Sequence, residues 1–403
     1  LEAAKEHIVI RGCGVISPLG SDDATSAEAY LAGIQAFSTI LHQGQPTPVA
    51  SLPAEAEQKL QQLVQSNPDY RHLDRSVLLA IYAARQATEQ AGWLSRDTDS
   101  QQEGLAVNIG SSRGATGLFE SHFEAFQQER ISPSSSPTTT LGNLSSWVAQ
   151  AVGAGGAQIS HSITCSTALM AVANGAAWLR AGMAERFLAG GTEAPLTDFT
   201  IAQMKAIGIY SKLHNHPYPC QPYALEKQNT FTLGEGAAVF ALEKADTADL
   251  AAGDIVVEAI GLGFERIGSK TGISAQGQNF QQAMRHALSQ LPSQNQGVDV
   301  IITHTPGTYA GDKAELAAIE TVFSVLAPAI TTNKWLLGHT LGASGALSMH
   351  YALYLLRSQR LAPIPYPAAI PFSRPSHISR VMVNAAGFGG NAACVILRRV
   401  LSF

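Results

Sequence analysis

The sequence predicts an α/β protein in which largely parallel strands are covered by helices. Three observations lead there. Short apolar runs alternate with longer stretches of helical periodicity from end to end, the pattern of strand–helix–strand units. The order strand, turn, helix recurs coarsely on both sides of a polar, small-residue stretch at 246–253, which suggests two similar halves, 1–250 and 251–403, although no residue-level repeat is apparent. The 403 residues are 45% hydrophobic and 14% charged with 36 glycines, which is enough apolar material for one large or two medium domains.

Each element has its own signal. Residues 7–16 are apolar around glycines and read as a strand, which Ser17-Pro18-Leu19-Gly20 turns into a helix over 21–32. Residues 43–61 are polar and proline-interrupted, a loop by composition. Residues 74–92 form an amphipathic helix with Val77, Leu78, Ile81, Tyr82, Ala84 and Ala87 on its apolar side and Gly92 at its end. A strand at 105–109 runs into Gly110-Ser111-Ser112-Arg113-Gly114, a turn near a pocket or a phosphate cradle, although its spacing matches neither the dinucleotide nor the Walker pattern. Residues 132–140 (SPSSSPTTT) are too short for a domain linker and read as a bordering loop, and 142–152 as a helix. His214, His216 and Cys220 lie within 212–221; lacking an evident fourth ligand, they suit a solvated, proline-bounded loop better than zinc. A strand follows the Gly234-Glu235-Gly236 turn. The second half carries strands at 255–264, 298–303, 380–384 and 393–398, helices at 279–291, 314–323 and 341–356, and a loop, Gly387-Phe388-Gly389-Gly390.

Composition also excludes. A net charge of −5 argues against a general nucleic-acid binder. Four widely spaced cysteines form no disulfide framework, so a cytoplasmic, reducing location is expected. No apolar run reaches the ~18 residues of a membrane span, and residues 1–6 carry no basic region and apolar core of a signal peptide.

Residues 157–191 concentrate the chemistry. They read as a strand at 159–164, then Thr164-Cys165-Ser166-Thr167 with N-cap chemistry, a small-residue helix through Ala168, Leu169, Ala171, Val172 and Ala176, and a second strand from Arg186 to Ala189 before Gly190-Gly191. Cys165 at a helix N-terminus, where unpaired N–H groups and the positive dipole end favour a thiolate, is either a nucleophile for acyl carbonyls or a buried structural cysteine. Two of the twelve histidines, His304 after a strand and His339 among glycines before a helix, supply imidazoles that could serve such a nucleophile.

These residues, with their neighbours, resemble the β-ketoacyl-acyl-carrier-protein synthases, type II-like condensing enzymes of the thiolase superfamily. The resemblance spans nearly the whole chain. It rests on residues 11–20 (RGCGVISPLG), Ile163-Thr164-Cys165-Ser166-Thr167, Gly190-Gly191-Thr192-Glu193-Ala194 and residues 233–238 (LGEGAA). It continues through His304-Thr305-Pro306-Gly307-Thr308, Gly311-Asp312-Lys313-Ala314-Glu315, Lys334, Gly338-His339, and Asn384 with residues 387–390. It implies a thiolase fold, five αβαβα layers from two duplicated halves. It implies that Cys165 accepts an acyl chain from the phosphopantetheine of an acyl carrier protein, and that the carbanion of a decarboxylated malonyl-carrier protein attacks it. His304 and His339 would donate to the malonyl thioester oxygen, and the N–H groups of Cys165 and Phe388 to the acyl oxygen. Lys334 would hold an ion pair with Glu315, and Phe388 would act as a gate. Thr308, Asp312, Glu315 and Phe388 are the expected substrate-binding residues. No metal and no resident cofactor are implied, since the pantetheine arrives on its carrier. The expected partners are that carrier and a second chain, in a homodimer or a heterodimer with a chain-length-factor-like homologue. For the acidic carrier, Arg71, Arg75, Lys205 and Lys212 are candidate docking charges, or scattered surface charges.

The chain departs from the family pattern. Pro306 stands where a Thr is usual, residues 384–392 (NAAGFGGNA) replace the usual NSFGFGGTN, and Gln228-Asn229-Thr230 replaces Arg-Asp-Gly. These losses suggest a specialised pathway with a wider pocket for a rigid or polyunsaturated chain, as in aryl-polyene or polyketide-like synthesis. Two other readings are a non-catalytic chain-length-factor-type subunit, against which Cys165, His304 and His339 stand, and a thiolase or thioester hydrolase; a thiolase would use Cys394, which lacks the glycine context such a cysteine needs.

Overall fold

The computed structural model describes residues 6–94, 101–266, 273–292, 297–323 and 328–401. The first half runs β1 (Glu6–Ile16), α1 (Arg75–Gln90), β2 (Leu105–Gly110), α2 (Asn143–Val152), β3 (Gln158–Ile159), α3 (Thr167–Arg180), β4 (Arg186–Glu193), β5 (Gly236–Asp246). The second runs β6 (Ile255–Phe264), α4 (Gln278–Leu288), β7 (Val300–Ile302), α5 (Tyr309–Val322), β8 (Ala329–Thr331), α6 (Ser344–Ser358), β9 (Arg380–Ala386), β10 (Asn391–Arg399). The succession is the same in both. So is the strand order, β1-β5-β4-β2-β3 against β6-β10-β9-β7-β8, with the same antiparallel and parallel pairings at corresponding places. The halves join where Ile8 and Val9 of β1 pair with Val257 and Val256 of β6.

This duplication stacks five layers. Helices α1 and α2 cover the outer face of the first half-sheet, α4 and α5 the outer face of the second, and α3 and α6 lie between the two. Three apolar cores fill the gaps, one under each outer pair and the largest around α3 and α6. Every residue of α6 from Ser344 to Leu356 is buried, as a helix between two sheets requires, and its sequence is mostly apolar or small to match, with buried His350 bonded to Asp23. The described residues contain no helix long and apolar enough to cross a membrane.

Several expected boundaries shift, for physical reasons. The strand expected at 159–164 ends at Ile159, because the chain leaves β2 there and turns through Thr164 at φ +49° into α3. The stretch 43–61 is not a loop. It holds one strand of a hairpin (Ser38–His42 with Gln45–Val49) and most of a helix, Ala54–Ser66, whose Ala56, Leu60 and Leu63 are buried at helical spacing behind three prolines that disguise it. The loop expected at 132–140 contains a one-turn helix, Ser135–Thr139. Helix α5 begins five residues before the expected Ala314, at Tyr309, and residues 341–343 are a 3-10 turn ahead of α6.

The halves do share a residue-level signature, which the sequence alone had hidden. Each first strand carries Gly-x-Gly: Gly12 and Gly14 in β1, Gly261 and Gly263 in β6. A Cβ on Gly12 would lie 2.1 Å from the carbonyl oxygen of Ala87 in α1, and one on Gly261 1.9 Å from that of Ala283 in α4. Both outer helices rest directly on strand backbone, and only glycine allows that approach. Gly12→Ala and Gly261→Ala should each lower stability by at least about 2 kcal/mol in denaturant titrations, as overpacking against backbone does. Gly142→Ala, where a Cβ meets nothing within 4 Å, should leave stability unchanged or slightly raised.

Candidate active site

Cys165 sits in the turn that enters α3. The N-cap is Ser166, and the hydroxyls here tie the turn backwards instead of capping the helix. Ser166 Oγ donates to the Ile163 carbonyl, and Thr167 Oγ1 accepts the Ile163 N–H and donates to the Thr164 carbonyl. Against this turn lies the loop 387–390. A Cβ on Gly387 would fall 1.8 Å from Thr164 Oγ1 and 2.7 Å from the Cys165 nitrogen, so glycine is needed for the two loops to touch. Thr164 Oγ1 donates to the Phe388 carbonyl at 3.2 Å.

The other two side chains come from the second half. His304 follows β7, and the N–H groups of His304 and Thr305 donate to the Glu315 carboxylate at 3.0 and 2.9 Å. Asn384 Nδ2 reaches the same carboxylate at 3.2 Å. His339 precedes α6. Its N–H donates to the Thr232 carbonyl at 2.7 Å, and Gly338 at φ +70° makes the bend. The Leu341 N–H donates to His339 Nδ1 at 2.9 Å, which places the imidazole proton on Nε2, free to donate. Cys165 Sγ and one nitrogen of each imidazole lie within 4.8 Å of one another, and the rings meet edge to face with centroids 5.2 Å apart. They form the floor of a cavity of about 560 Å³, with Met204, Ile209, Phe231 and Leu341 as an apolar wall and Phe388, 39% exposed, at its side.

Burial sets the protonation states. It pushes His304 down to about 3, helped by Lys334, and it pushes His339 well below the ordinary histidine value, helped by His304 and Lys334. Both imidazoles are therefore neutral near pH 7. Burial, and then Glu193, raise the Cys165 thiol to about 12 against the pull of Lys334. The thiolate expected from the helix N-terminus is thus not the resting form, because loss of solvent outweighs the dipole.

The remaining expected residues divide. Thr308 and Phe388 line the cavity. Asp312 and Glu315 do not line it: both are buried behind the 304–308 loop, where Asp312 accepts the N–H groups of Tyr223 and Gly307 at 2.9 and 3.2 Å. They hold the wall and do not touch its contents. Lys334 makes no ion pair with Glu315 among the described residues. Its Nζ donates to Asn333 Oδ1 at 3.2 Å and Ser348 Oγ at 3.1 Å, and Glu315 acts on it only at longer range. Burial lowers Lys334 to about 8 and raises Asp312 and Glu315 to about 7. Of the basic candidates, Arg75 is held by Glu57 and Glu235, and Lys205 donates to His42 and Thr47, leaving Arg71 and Lys212 exposed. The turn at 110–114 serves a carboxylate of the chain itself. Glu193 accepts from Ser111 Oγ, the Ser112 N–H and hydroxyl, the Arg113 N–H and the Gly342 N–H. Glu193 was the residue whose role sequence reasoning missed; its signal is a carboxylate closing an apolar strand.

A depressed histidine loses its contribution to stability as pH falls. For His304 that contribution is intact above the ordinary 6.5 and drains away toward 3. The raised Asp312 and Glu315 have the opposite sign, favouring the fold at low pH and losing that as pH rises through about 7. Acidification from pH 7 to pH 5 should therefore cost wild type about 2 kcal/mol more than it costs His304→Asn, measured by denaturant titration at both pH values. Equal losses would mean that burial does not lower His304 in the fold.

Comparison with known proteins identifies the family. Residues 5–248 match the beta-ketoacyl synthase N-terminal domain and residues 256–365 the C-terminal domain of that family. The chain is 28% identical over 417 residues to 3-oxoacyl-[acyl-carrier-protein] synthase 2 of Coxiella burnetii, covering 98% of this chain and 99% of the relative. It is 26% identical over 412 residues to the synthase of the same name from Staphylococcus aureus strain N315, covering 98% of each. Among solved structures, the ishigamide ketosynthase/chain length factor superposes with a TM-score of 0.84 at 24% identity, over 98% of this chain and all of that one. The ketosynthase ApeO in complex with its chain length factor ApeC from Xenorhabdus doucetiae gives 0.79 at 22% identity, over 98% of both chains. These neighbours share the thiolase fold. With both halves of the sequence matched in order, the chain belongs to the beta-ketoacyl synthase family.

Proposed function

We propose that this chain catalyses the decarboxylative condensation of an acyl group on Cys165 with malonyl-acyl-carrier protein, giving a 3-oxoacyl-carrier protein. One observation carries the reading: a thiol and two neutral imidazoles converge within 4.8 Å on the floor of an apolar cavity. Relatives named 3-oxoacyl-[acyl-carrier-protein] synthase 2 support it.

The chemistry follows from the groups present. Cys165 Sγ attacks the thioester carbon of the acyl carrier; the carbon–sulfur bond to pantetheine breaks, and the thiol proton leaves with the departing carrier thiolate. The N–H groups of Cys165 and Phe388, which donate to no protein acceptor among the described residues, suit the oxyanion of this step. The malonyl carrier then binds. Its carbon–carboxylate bond breaks, CO2 leaves, and the electron pair stays as an enolate. Neutral imidazoles fit this role, since they donate to the enolate oxygen without protonating its carbon. His339, with its proton fixed on Nε2, is such a donor. The enolate carbon attacks the acyl-Cys165 carbonyl, the carbon–sulfur bond breaks, and the Cys165 thiolate takes a proton from solvent. No resident cofactor enters these steps. Pro306 and Ala386 line the cavity, which fits a pocket adapted to an unusual chain such as a polyene. Cytoplasmic carriers would supply both substrates.

A second chain, a copy or a chain-length-factor-like homologue, would cover helix Thr116–Gln127. Not one of its residues is buried, and Phe119, Phe123 and Phe126 are 62%, 53% and 58% exposed. Phe123→Glu should convert the assembled form to monomer in size-exclusion chromatography coupled to light scattering; an unchanged mass would place the interface elsewhere.

The half-reactions separate the roles. Cys165→Ala should take up no acyl group from any carrier. His339→Ala should still be acylated on Cys165, within a few-fold of the wild-type rate, yet condense at least about 100-fold more slowly. Loss of acylation and condensation together in His339→Ala, with the fold intact, would refute the assigned role.

A further inference from the structure

Two cations line the cavity, and among the described residues neither has an anion: the exposed Lys313, which lies over the Tyr309 ring, and the part-buried Arg113. Arg113, three residues beyond β2, is fixed at the wall by its own backbone N–H, which donates to Glu193 at 3.2 Å. Its Nε donates to Thr200 Oγ1 at 3.2 Å and its Nη2 to Gln203 Oε1. Both acceptors are neutral, and both belong to helix Asp198–Ala206, whose Met204 forms part of the apolar wall. Among the described residues no carboxylate pairs with this guanidinium; Glu120 is reached only through the hydroxyls of Thr200 and Thr197. Arg11, Arg75, Arg357, Arg380 and Arg398 reach carboxylates. Arg85 and Arg399, like Arg113, bond neutral oxygens, but neither lines the cavity.

A guanidinium offers five N–H donors, and here two are used. The other three have no protein acceptor among the described residues, and the residue is only part-exposed. A plain hydrocarbon chain filling the cavity would displace water from those donors and return nothing, at the full cost of stranding a charged group's hydrogen bonds. A chain ending in oxygen acceptors would satisfy them, and a carboxylate fits the guanidinium fork best. From this we infer that the acyl group loaded on Cys165 carries oxygen acceptors at the end remote from its thioester, and that Arg113 selects it. The inference rests on the condensing reading above and specifies its acyl substrate.

The test compares carrier-bound hexanoyl, ω-hydroxyhexanoyl and adipoyl groups, equal in length and different at the far end. The rate of Cys165 acylation is read by intact-protein mass spectrometry. Wild type should load one or both oxygen-terminated donors at least about tenfold faster than hexanoyl, the value of one hydrogen bond to a charged group; which of the two leads distinguishes a hydroxyl from a carboxylate. Arg113→Met should abolish or reverse that preference, and Arg113→Lys should keep part of it. If Arg113 merely tethers helix Asp198–Ala206, Arg113→Met will slow all three donors equally and the inference falls. Should that variant not fold, the wild-type order decides alone: hexanoyl first, or no preference, overturns the inference while leaving the condensing reading intact. If no donor acylates Cys165, both fall.

Discussion

The close approach of two helix N-termini is the constraint on which the rest of the molecule depends. Helices α3 and α6 lie side by side between the half-sheets, and at their starts almost nothing separates them. A Cβ on Gly345 would sit 2.7 Å from Leu169 Cγ, and one on Gly191 2.7 Å from the Ala168 side chain. Glu193 bolts the contact from one side, taking the Gly342 N–H ahead of α6 and the hydroxyls of Ser111 and Ser112 after β2. Because Cys165 lies just before the Ser166 N-cap of α3 and His339 precedes α6, packing the helices is the same act as assembling the site. The duplicated topology supplies the two equivalent helices, and the small residues let them meet.

Burying this assembly also sets its chemistry. Away from water the imidazoles shed their protons, and the thiol keeps its own. Lys334 stands behind them, held by Asn333 and Ser348, and its charge reinforces the neutrality of both histidines while pulling Cys165 the other way. Carboxylates are kept behind the loops they organise, Glu315 under His304 and Asp312 under the 306–308 turn, so none competes for the oxyanion donors facing the cavity. A partly satisfied polar network at this depth would be costly. Here the carboxylate oxygens of Glu193, Asp312 and Glu315 each have a backbone N–H partner.

Much of this was legible in the sequence, and the reasons it was not elsewhere are specific. Alternating strands and helices gave the class, and Cys165, His304 and His339 stood out because each is flanked by turn residues at an element boundary. Local patterns cannot report tertiary distance. The Gly-x-Gly pairs in β1 and β6 have their reason in helices α1 and α4, which rest on them and are distant in sequence. The family resemblance implies a Lys334–Glu315 pair, yet Glu315 is occupied by backbone N–H groups of a loop eleven residues upstream. The thiolate expected of Cys165 failed for a similar reason: position in sequence announces a helix dipole and not depth of burial. The helix at Ala54–Ser66 was hidden by composition, since a surface helix with three buried residues reads as polar.

The most direct measurement of the central claim is a two-stage chase on the wild-type protein. Load Cys165 from an acyl carrier, remove the donor, add malonyl-carrier protein, and follow the Cys165 peptide mass and released CO2 together. If one part-buried thiol and two neutral imidazoles act as a single condensing site, the acyl mass on Cys165 will disappear only on malonyl addition, with one CO2 released and one 3-oxoacyl carrier formed per group lost. CO2 release without discharge of Cys165, or an acyl group mapped to any other residue, would contradict the account.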